Sequence, residues 1–259
     1  VRNKTSFSKE ELTLLKCGLL GKTLGHSRSP EIHKLLGNYS YQLYEMPENE
    51  VEDFILHGDW DGLNVTIPYK KTVLPFLDEL SPVAARVGSV NTIIRRADHS
   101  LFGDNTDVAG FEGMVRFSRL PLSGEKALVL GSGGASVAVC EALRRLGSEP
   151  IIISRSGENN YQNLSRHADV RFLVNTTPVG MFPNINDSPL DLSALPRCAG
   201  VLDIIYNPPV TKLMRQALDL GIPAFNGLWM LVAQAKASSE LFTGLPIPDS
   251  RIEEVFRAL

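Results

Sequence analysis

The run Gly62-Leu-Asn-Val-Thr-Ile-Pro-Tyr-Lys70 brings an amide, a hydroxyl and an ammonium close together in the chain. Asn64 and Thr66 alternate with apolar neighbours, so a strand over residues 63–67 puts both on one face. Pro68 has no N–H for a ladder and ends the strand. The strand end then offers hydrogen-bonding groups and a cation to one small polar ligand, or it is an ordinary strand with a solvated tip. Other clusters pose the same kind of choice. Ser27 and Ser29 precede Pro30 in a loop rich in Gly, Ser and His, with Ser29 placed as N-cap and Pro30 as the first helical residue. Their hydroxyls either cap the helix or receive a ligand carboxylate at its positive end. Asp107 closes Gly103-Asp-Asn-Thr-Asp107 ahead of helical periodicity over residues 108–117, where a carboxylate is an N-cap or a functional group. Gln234 lies within an apolar helical run, residues 226–236, as a satisfied core amide or a ligand contact.

A second chemistry is written in glycine. The apolar strand 126–130 leads directly into Gly131-Ser-Gly-Gly-Ala-Ser136, then a helix over 135–146 and a strand at 150–153. This is the context in which backbone amides at a helix N-terminus meet a dinucleotide pyrophosphate, rather than a purely structural glycine turn. The third fingerprint position is Ser136, small but neither Gly nor Ala. An NAD site carries an acidic side chain at the end of the second strand, for the ribose 2′-hydroxyl. Here stand Ser154-Arg155-Ser156. A guanidinium flanked by hydroxyls suits a phosphate, so NADP is expected over NAD.

Periodicity and punctuation supply the elements that must hold these groups. Ser8 and Glu11 have capping-box spacing for a helix over residues 9–15. Strands are expected at 17–21, 41–45, 63–67 and 88–94, with helices from Pro30 to Leu36 and over 48–56, 71–77 and 82–87. Beyond the glycine turn, strands at 170–174, 201–205 and 222–225 alternate with helices at 164–169, 211–220 and 226–236. Strand-turn-helix units of this spacing argue for an α/β fold with helices on both sheet faces. Several strands carry their polar clusters at the C-terminal end, where open parallel sheets bind ligands.

Composition narrows the class. The chain has 259 residues, 43% hydrophobic and 21% charged, with a formal net charge of −3. That length allows one large or two ordinary domains, and the charge disfavours nucleic acid as a partner. Apolar runs are too short for a membrane span, and no basic start leads into a long apolar core, so neither a membrane nor a signal peptide is expected. Cys17, Cys140 and Cys198 are widely spaced and read as reduced, mostly buried thiols of a cytoplasmic protein. The five histidines have no ligand spacing, so no metal is expected.

Taken together, the motifs resemble those of the shikimate dehydrogenase family. In order they are His26-Ser-Arg-Ser-Pro30, Asn64-Val-Thr-Ile-Pro-Tyr-Lys70, Ser89-Val-Asn-Thr92, Gly103-Asp-Asn-Thr-Asp107, Gly131-Ser-Gly-Gly134, the run 175–181, Asp203-Ile-Ile-Tyr206 and the run 227–234. The resemblance runs from about Gly18 to the C-terminus. It implies two α/β domains around a cleft: a substrate domain at 1–106 plus the returning C-terminal helices at 227–259, and a Rossmann-type nucleotide domain at 107–226. It implies reversible, NADP-dependent reduction of 3-dehydroshikimate to shikimate in the shikimate pathway of aromatic amino acid synthesis, by a monomer or homodimer. It implies that Ser27 and Ser29 hold the substrate carboxylate, that Asn64, Thr66, Asn91, Asp107 and Gln234 hold its hydroxyls, and that Lys70 and Asp107 form the catalytic pair. Tyr206 is implied near the substrate and nicotinamide. For the cofactor it implies Gly131, Ser132, Gly133, Gly134, Ala135, Ser154, Arg155, Ser156, Thr176, Met181, Ile204 and Gly227. The family pattern at the second strand end is Asn-Arg-Thr, and the interval from Ser156 to Val170 is short. A further strand and helix normally fit there, so the adenosine side of the nucleotide domain is expected to be reduced.

Overall fold

The computed structural model describes residues 13–25 and 27–259. The capping pair Ser8 and Glu11, most of the helix expected after it, and His26 lie outside the described residues. Two units share the chain, one comprising Val1–Asp107 and Val232–Leu259, the other Val108–Leu231.

The first unit is built on a mixed sheet. Its strands are β1 (Lys16–Gly21), β2 (Ser40–Glu45), β3 (Gly62–Val65), β4 (Glu79–Leu80), β5 (Thr92–Arg95) and β6 (Leu101–Asp104), in the spatial order β2-β1-β3-β5-β6-β4. β1 pairs in parallel with β2 and β3, and β5 runs antiparallel to both β3 and β6. Helices α1 (Ser29–Leu36), α2 (Glu48–His57) and α3 (Pro82–Val87) connect these strands. All four residues of β3 are buried, as befits a central strand. Leu20, Val51, Ile55, Trp60, Leu63 and Ile93 form one apolar cluster. Each such burial stabilises by about 1.5–3 kcal/mol, which makes this the rigid floor for what β3 and β5 carry.

Several expectations shift here. β3 ends at Val65, earlier than the expected 67. Thr66 N–H still donates to the Leu20 carbonyl, but a cis peptide precedes Pro68 and the chain turns away. The Thr66 methyl still lies beside Gly21, two residues on from the Leu19–Asn64 pairing, so Thr66 keeps the Asn64 face although the strand is shorter than expected. The expected helix over 71–77 is a run of turns closed by a 3-10 turn at Leu74–Phe76, because Pro75 has no N–H for a longer helix. The strand expected at 88–94 begins only at Thr92, since Gly88 ends α3 in the left-handed region at φ 66°. The N-cap of α1 is Arg28, not Ser29, which is already helical.

The second unit holds five parallel strands, β7 (Lys126–Leu130), β8 (Glu149–Ile153), β9 (Phe172–Asn175), β10 (Gly200–Asp203) and β11 (Ala224–Phe225), ordered β11-β10-β9-β7-β8. With them go α4 (Asp107–Ser118), α5 (Gly134–Arg145) and α6 (Lys212–Asp219). The strand order reverses between β7 and β9, the point where ligands meet sheets of this kind. A doubly wound nucleotide sheet usually has three strands on each side of that point. Here β8 is the last strand on its side, and a 3-10 segment, Tyr161–His167, replaces the helix expected at 164–169. The last strand covers only Ala224–Phe225 of the expected 222–225. α7 (Leu228–Thr243) runs well past the expected end at 236, and α8 (Ser250–Ala258) follows.

Candidate active site

In the first unit, strand ends and one helix face bring polar side chains into a single network. Lys70 follows the cis-proline turn, and its Nζ donates to Asp107 Oδ2 at 2.5 Å. Both side chains are largely but not wholly covered, at 19% and 11% exposure, so the pair is anchored yet reachable. The other carboxylate oxygen, Oδ1, accepts from Asn91 Nδ2 at 2.9 Å. Asn91 Oδ1 in turn accepts from Thr106 N–H at 2.7 Å. Asp107 is the first residue of α4, and its carboxylate is held by two side chains, Lys70 and Asn91.

Asn64 lies deeper. Its Nδ2 donates to Ser238 Oγ at 2.8 Å and to Thr92 Oγ1 at 3.1 Å, and its Oδ1 accepts from the Tyr41 hydroxyl at 2.8 Å. Ser238 sits one helical turn beyond Gln234 on α7 and donates to the Gln234 carbonyl at 2.9 Å. Gln234 itself is half-buried, with its Oε1 at 3.5 Å from Thr106 Oγ1. Thr66 lies against Gly21, where an added Cβ would stand 2.8 Å from the Thr66 methyl. At the start of α1 the Ser27 hydroxyl accepts from the Ser29 N–H at 3.2 Å, and the Ser29 side chain is buried. Ser29 is thus not the N-cap, and α1 starts without a side-chain cap on Arg28.

Tyr41, Thr92, Thr106 and Ser238 were not singled out from the sequence. Thr92 and Thr106 sit inside quoted motifs, and the i, i+4 spacing from Gln234 marks Ser238 as a neighbour on α7. Tyr41 had no local signal. It becomes visible only when β2 and β3 flank β1.

In the second unit the features are mostly backbone. Gly131 turns at φ 104°, and a Cβ there would meet Thr176 Oγ1 and Thr177 Cγ2 at 3.0 Å. Thr176 Oγ1 donates to the Leu130 carbonyl at 2.6 Å and ties the ends of β9 and β7. α5 has Gly133 as N-cap with no side-chain cap, and a Cβ on Gly133 or Gly134 would meet nothing within 4 Å. An uncapped helix N-terminus facing open space fits a pyrophosphate, whose oxygens accept the unpaired N–H groups. Ser136, the unusual fingerprint residue, is buried and donates to the Gly133 carbonyl at 2.6 Å, so it braces the turn. Ser132 is exposed and Ala135 half-buried beside it.

After β8, Ser154 is half-buried while Arg155 and Ser156 are exposed, so the guanidinium at this strand end is open to solvent. Met181 is exposed, and Ile204 and Tyr206 are half-buried beyond β10. Gly227 packs against the Ile204 main chain so closely that a Cβ would sit 1.9 Å from the Ile204 carbonyl oxygen. Asp203, fully buried, accepts from Thr211 Oγ1 at 2.7 Å, Asn175 Nδ2 at 3.1 Å and Ile205 N–H at 3.1 Å. Burial pushes its carboxyl up to about 6 against those hydrogen bonds.

Comparison with known proteins accounts for this pairing of units. Residues 19–93 match the family model described as the shikimate dehydrogenase substrate binding domain. The shikimate dehydrogenase (NADP(+)) of Clostridium perfringens is 33% identical over 264 residues, covering 93% of this chain and 97% of that protein. The chain belongs to the shikimate dehydrogenase family. Among this family's solved structures, the chorismate mutase/shikimate 5-dehydrogenase fusion protein from Clostridium acetobutylicum superimposes with TM-score 0.88 at 34% identity, over 95% of this chain and 97% of that one. The Thermus thermophilus shikimate 5-dehydrogenase in complex with NADP(H) and shikimate gives TM-score 0.83 at 32% identity, over 95% and 99%. Among the described residues no group of three or more His, Cys, Asp or Glu side chains is placed to hold a metal ion. None of the described helices is long and apolar enough to cross a membrane.

Proposed function

We propose that the protein is an NADP-dependent shikimate dehydrogenase, interconverting 3-dehydroshikimate and shikimate. One observation carries the reading: a largely covered ammonium–carboxylate pair, Lys70 and Asp107, set among neutral hydrogen-bonding side chains in a member of this family. Bound NADP supplies or takes up the hydride. The chain's own residues handle the proton and the fit. When a ketone is reduced, negative charge grows on its oxygen, and the Lys70 ammonium stabilises that charge and delivers the proton. In the reverse direction Lys70 takes the proton back from the hydroxyl. Asp107 orients the ammonium, and Asn91 holds the far oxygen of Asp107.

Asn64, Thr66, Asn91 and Gln234 are the hydroxyl-reading groups in this proposal, and Ser27 and Ser29 receive the carboxylate at the start of α1. Tyr206 lies toward the substrate. The glycine turn 131–134 with Ala135 holds the pyrophosphate, Ser154, Arg155 and Ser156 the 2′-phosphate, and Thr176, Met181, Ile204 and Gly227 the nicotinamide half. We assign 1–106 with 227–259 as the substrate domain and 107–226 as the nucleotide domain, in a cytoplasmic enzyme. The test is spectrophotometric. Reduction of NADP+ with shikimate, faster than with quinate and faster than reduction of NAD+, is expected. Failure to reduce either cofactor with shikimate would sink the proposal, and a clear NAD+ preference would refute the role of Arg155.

A further inference from the structure

Two strand ends of the second unit are built alike. Asn175 and Asp203 are the last residues of β9 and β10, they are register partners, and both are fully buried. Each folds the chain beyond it with its own side chain. Asn175 Oδ1 accepts from the Thr177 N–H at 3.0 Å, and Asp203 Oδ1 accepts from the Ile205 N–H at 3.1 Å. These are side-chain turns of one kind, set side by side. Asn175 Nδ2 donates to Asp203 Oδ1 at 3.1 Å and joins them. The Ile204 N–H donates to the Asn175 carbonyl at 3.1 Å and closes the pair a second time. The middle residue of each turn is thereby fixed. Those residues are Thr176 and Ile204, both half-buried.

Groups that cannot change role decide which way this clasp points. The Thr177 N–H only donates, so Asn175 turns its oxygen there and its amide nitrogen towards Asp203. Thr177 Oγ1 donates to the same oxygen at 2.7 Å and accepts from the Val179 N–H at 3.2 Å, which carries the order along the loop towards Met181. Asp203 therefore meets three donors. The Asn175 amide and the Ile205 N–H share Oδ1, and Thr211 Oγ1 donates to Oδ2 at 2.7 Å. A carboxylate, which only accepts, satisfies all three at once. Thr211 also caps α6 by accepting from the Met214 N–H at 3.2 Å. One carboxylate oxygen thus serves the helix and the other serves the two turns. We propose that Asn175 and Asp203 are positioning residues for the nicotinamide half of NADP, presenting Thr176 and Ile204 from two joined turns. The inference rests on the cofactor roles proposed above for Thr176 and Ile204. Ser154, Arg155 and Ser156 follow β8, two strands away from β9, so the clasp governs one half of the cofactor and not the other.

Two ligands that share the adenosine side separate positioning from general damage. Adenosine 2′,5′-bisphosphate carries the 2′-phosphate and lacks the nicotinamide. Binding of each is measured by isothermal titration calorimetry, without turnover. In Asp203→Ala the turns lose their common acceptor. The Kd for NADP+ should rise at least about tenfold, the scale of one or two lost hydrogen bonds, with the Kd for the bisphosphate unchanged within about twofold. Asp203→Asn should recover most of this. Its oxygen can keep the Asn175 and Ile205 partners while its amide faces Thr211, whose oxygen has a second lone pair, so the NADP+ Kd should return to within about threefold of wild type. Should Asp203→Ala not fold by circular dichroism and thermal unfolding, Thr177→Val takes its place. That half-buried residue keeps its shape and loses only the hydroxyl that braces Asn175. The NADP+ Kd should then rise about three- to tenfold, again with the bisphosphate unaffected. An NADP+ Kd unchanged within about twofold in the folded variant, equal weakening of both ligands, or no recovery in Asp203→Asn overturns the positioning role. A wild-type protein that does not bind NADP+ overturns instead the reading on which it stands.

Discussion

The two units build their candidate sites from different materials. In the unit built on β3 and β5, the functional groups are side chains wired to one another: Tyr41 to Asn64, Asn64 to Ser238 and Thr92, Asn91 to Asp107, and Asp107 to Lys70. In the unit built on β7, the functional surface is mostly backbone, a glycine turn with open space before an uncapped helix. The difference follows from the ligands. A ring bearing several hydroxyls needs directed donors and acceptors, which side chains on opposed strands supply. A pyrophosphate needs positive potential and N–H groups, which any helix start supplies. A wired network should fail when a member is removed, and a backbone cradle should fail when a side chain is added.

Removing the ammonium is the largest expected effect. Lys70→Ala should lower turnover by about 10²–10⁴-fold, the range of acid–base catalysis, while circular dichroism and NADP+ titration show fold and cofactor binding largely intact. Near-normal turnover would exclude Lys70 as the proton carrier. Asp107→Asn keeps the shape and removes the charge that orients Lys70, and its loss should divide between kcat and shikimate KM. Steady-state kinetics should show roughly a hundredfold fall in kcat/KM.

Adding a side chain tests the cradle. Gly133 has an ordinary φ of −80° and room for a Cβ, so Gly133→Val should fold normally by thermal unfolding. The same side chain would occupy the pyrophosphate's approach, and the KM for NADP+ should rise at least about tenfold with the shikimate KM little changed. An unaltered NADP+ KM would mean that the turn is structural only.

The smallest effect concerns stability and again sets the units apart. The Asp203 carboxyl is raised in the folded state to about 6, from an ordinary 3.8, mainly by burial. The raised direction means that its contribution is fully present below the unfolded value and is lost as pH climbs through about 6. Between those limits the cost is on the order of 3 kcal/mol, a shift of several degrees in Tm. Thermal unfolding from pH 4 to 7 should show this slope in the wild type and a flatter one in Asp203→Asn. Equal slopes would assign the pH dependence to other groups.

How far the sequence could be read follows the same division. The nucleotide unit was legible because its signals are local: a strand, a glycine turn, a helix and a strand in immediate succession, then Arg155. Even the shortened sheet was readable, as a missing length between Ser156 and Val170. The substrate unit was legible only in part. Lys70 after Pro68 and the polar motifs stood out by type, but Tyr41 carried no local mark.

The sequence by itself determined the α/β alternation, the glycine turn between strand and helix, the guanidinium rather than a carboxylate at the end of the next strand, and the residue types available for proton transfer. All of these depend on periodicity and punctuation within a few residues. Only the tertiary structure decided which groups meet. Asn64 and Ser238 are 174 residues apart and hydrogen-bond because α7 returns to the first sheet, and Lys70 finds Asp107 across 37 residues. Tyr41 reaches Asn64 because β2 and β3 both pair in parallel with β1. Side-chain period tells which face a residue takes, whereas strand order and helix return tell whose face it meets.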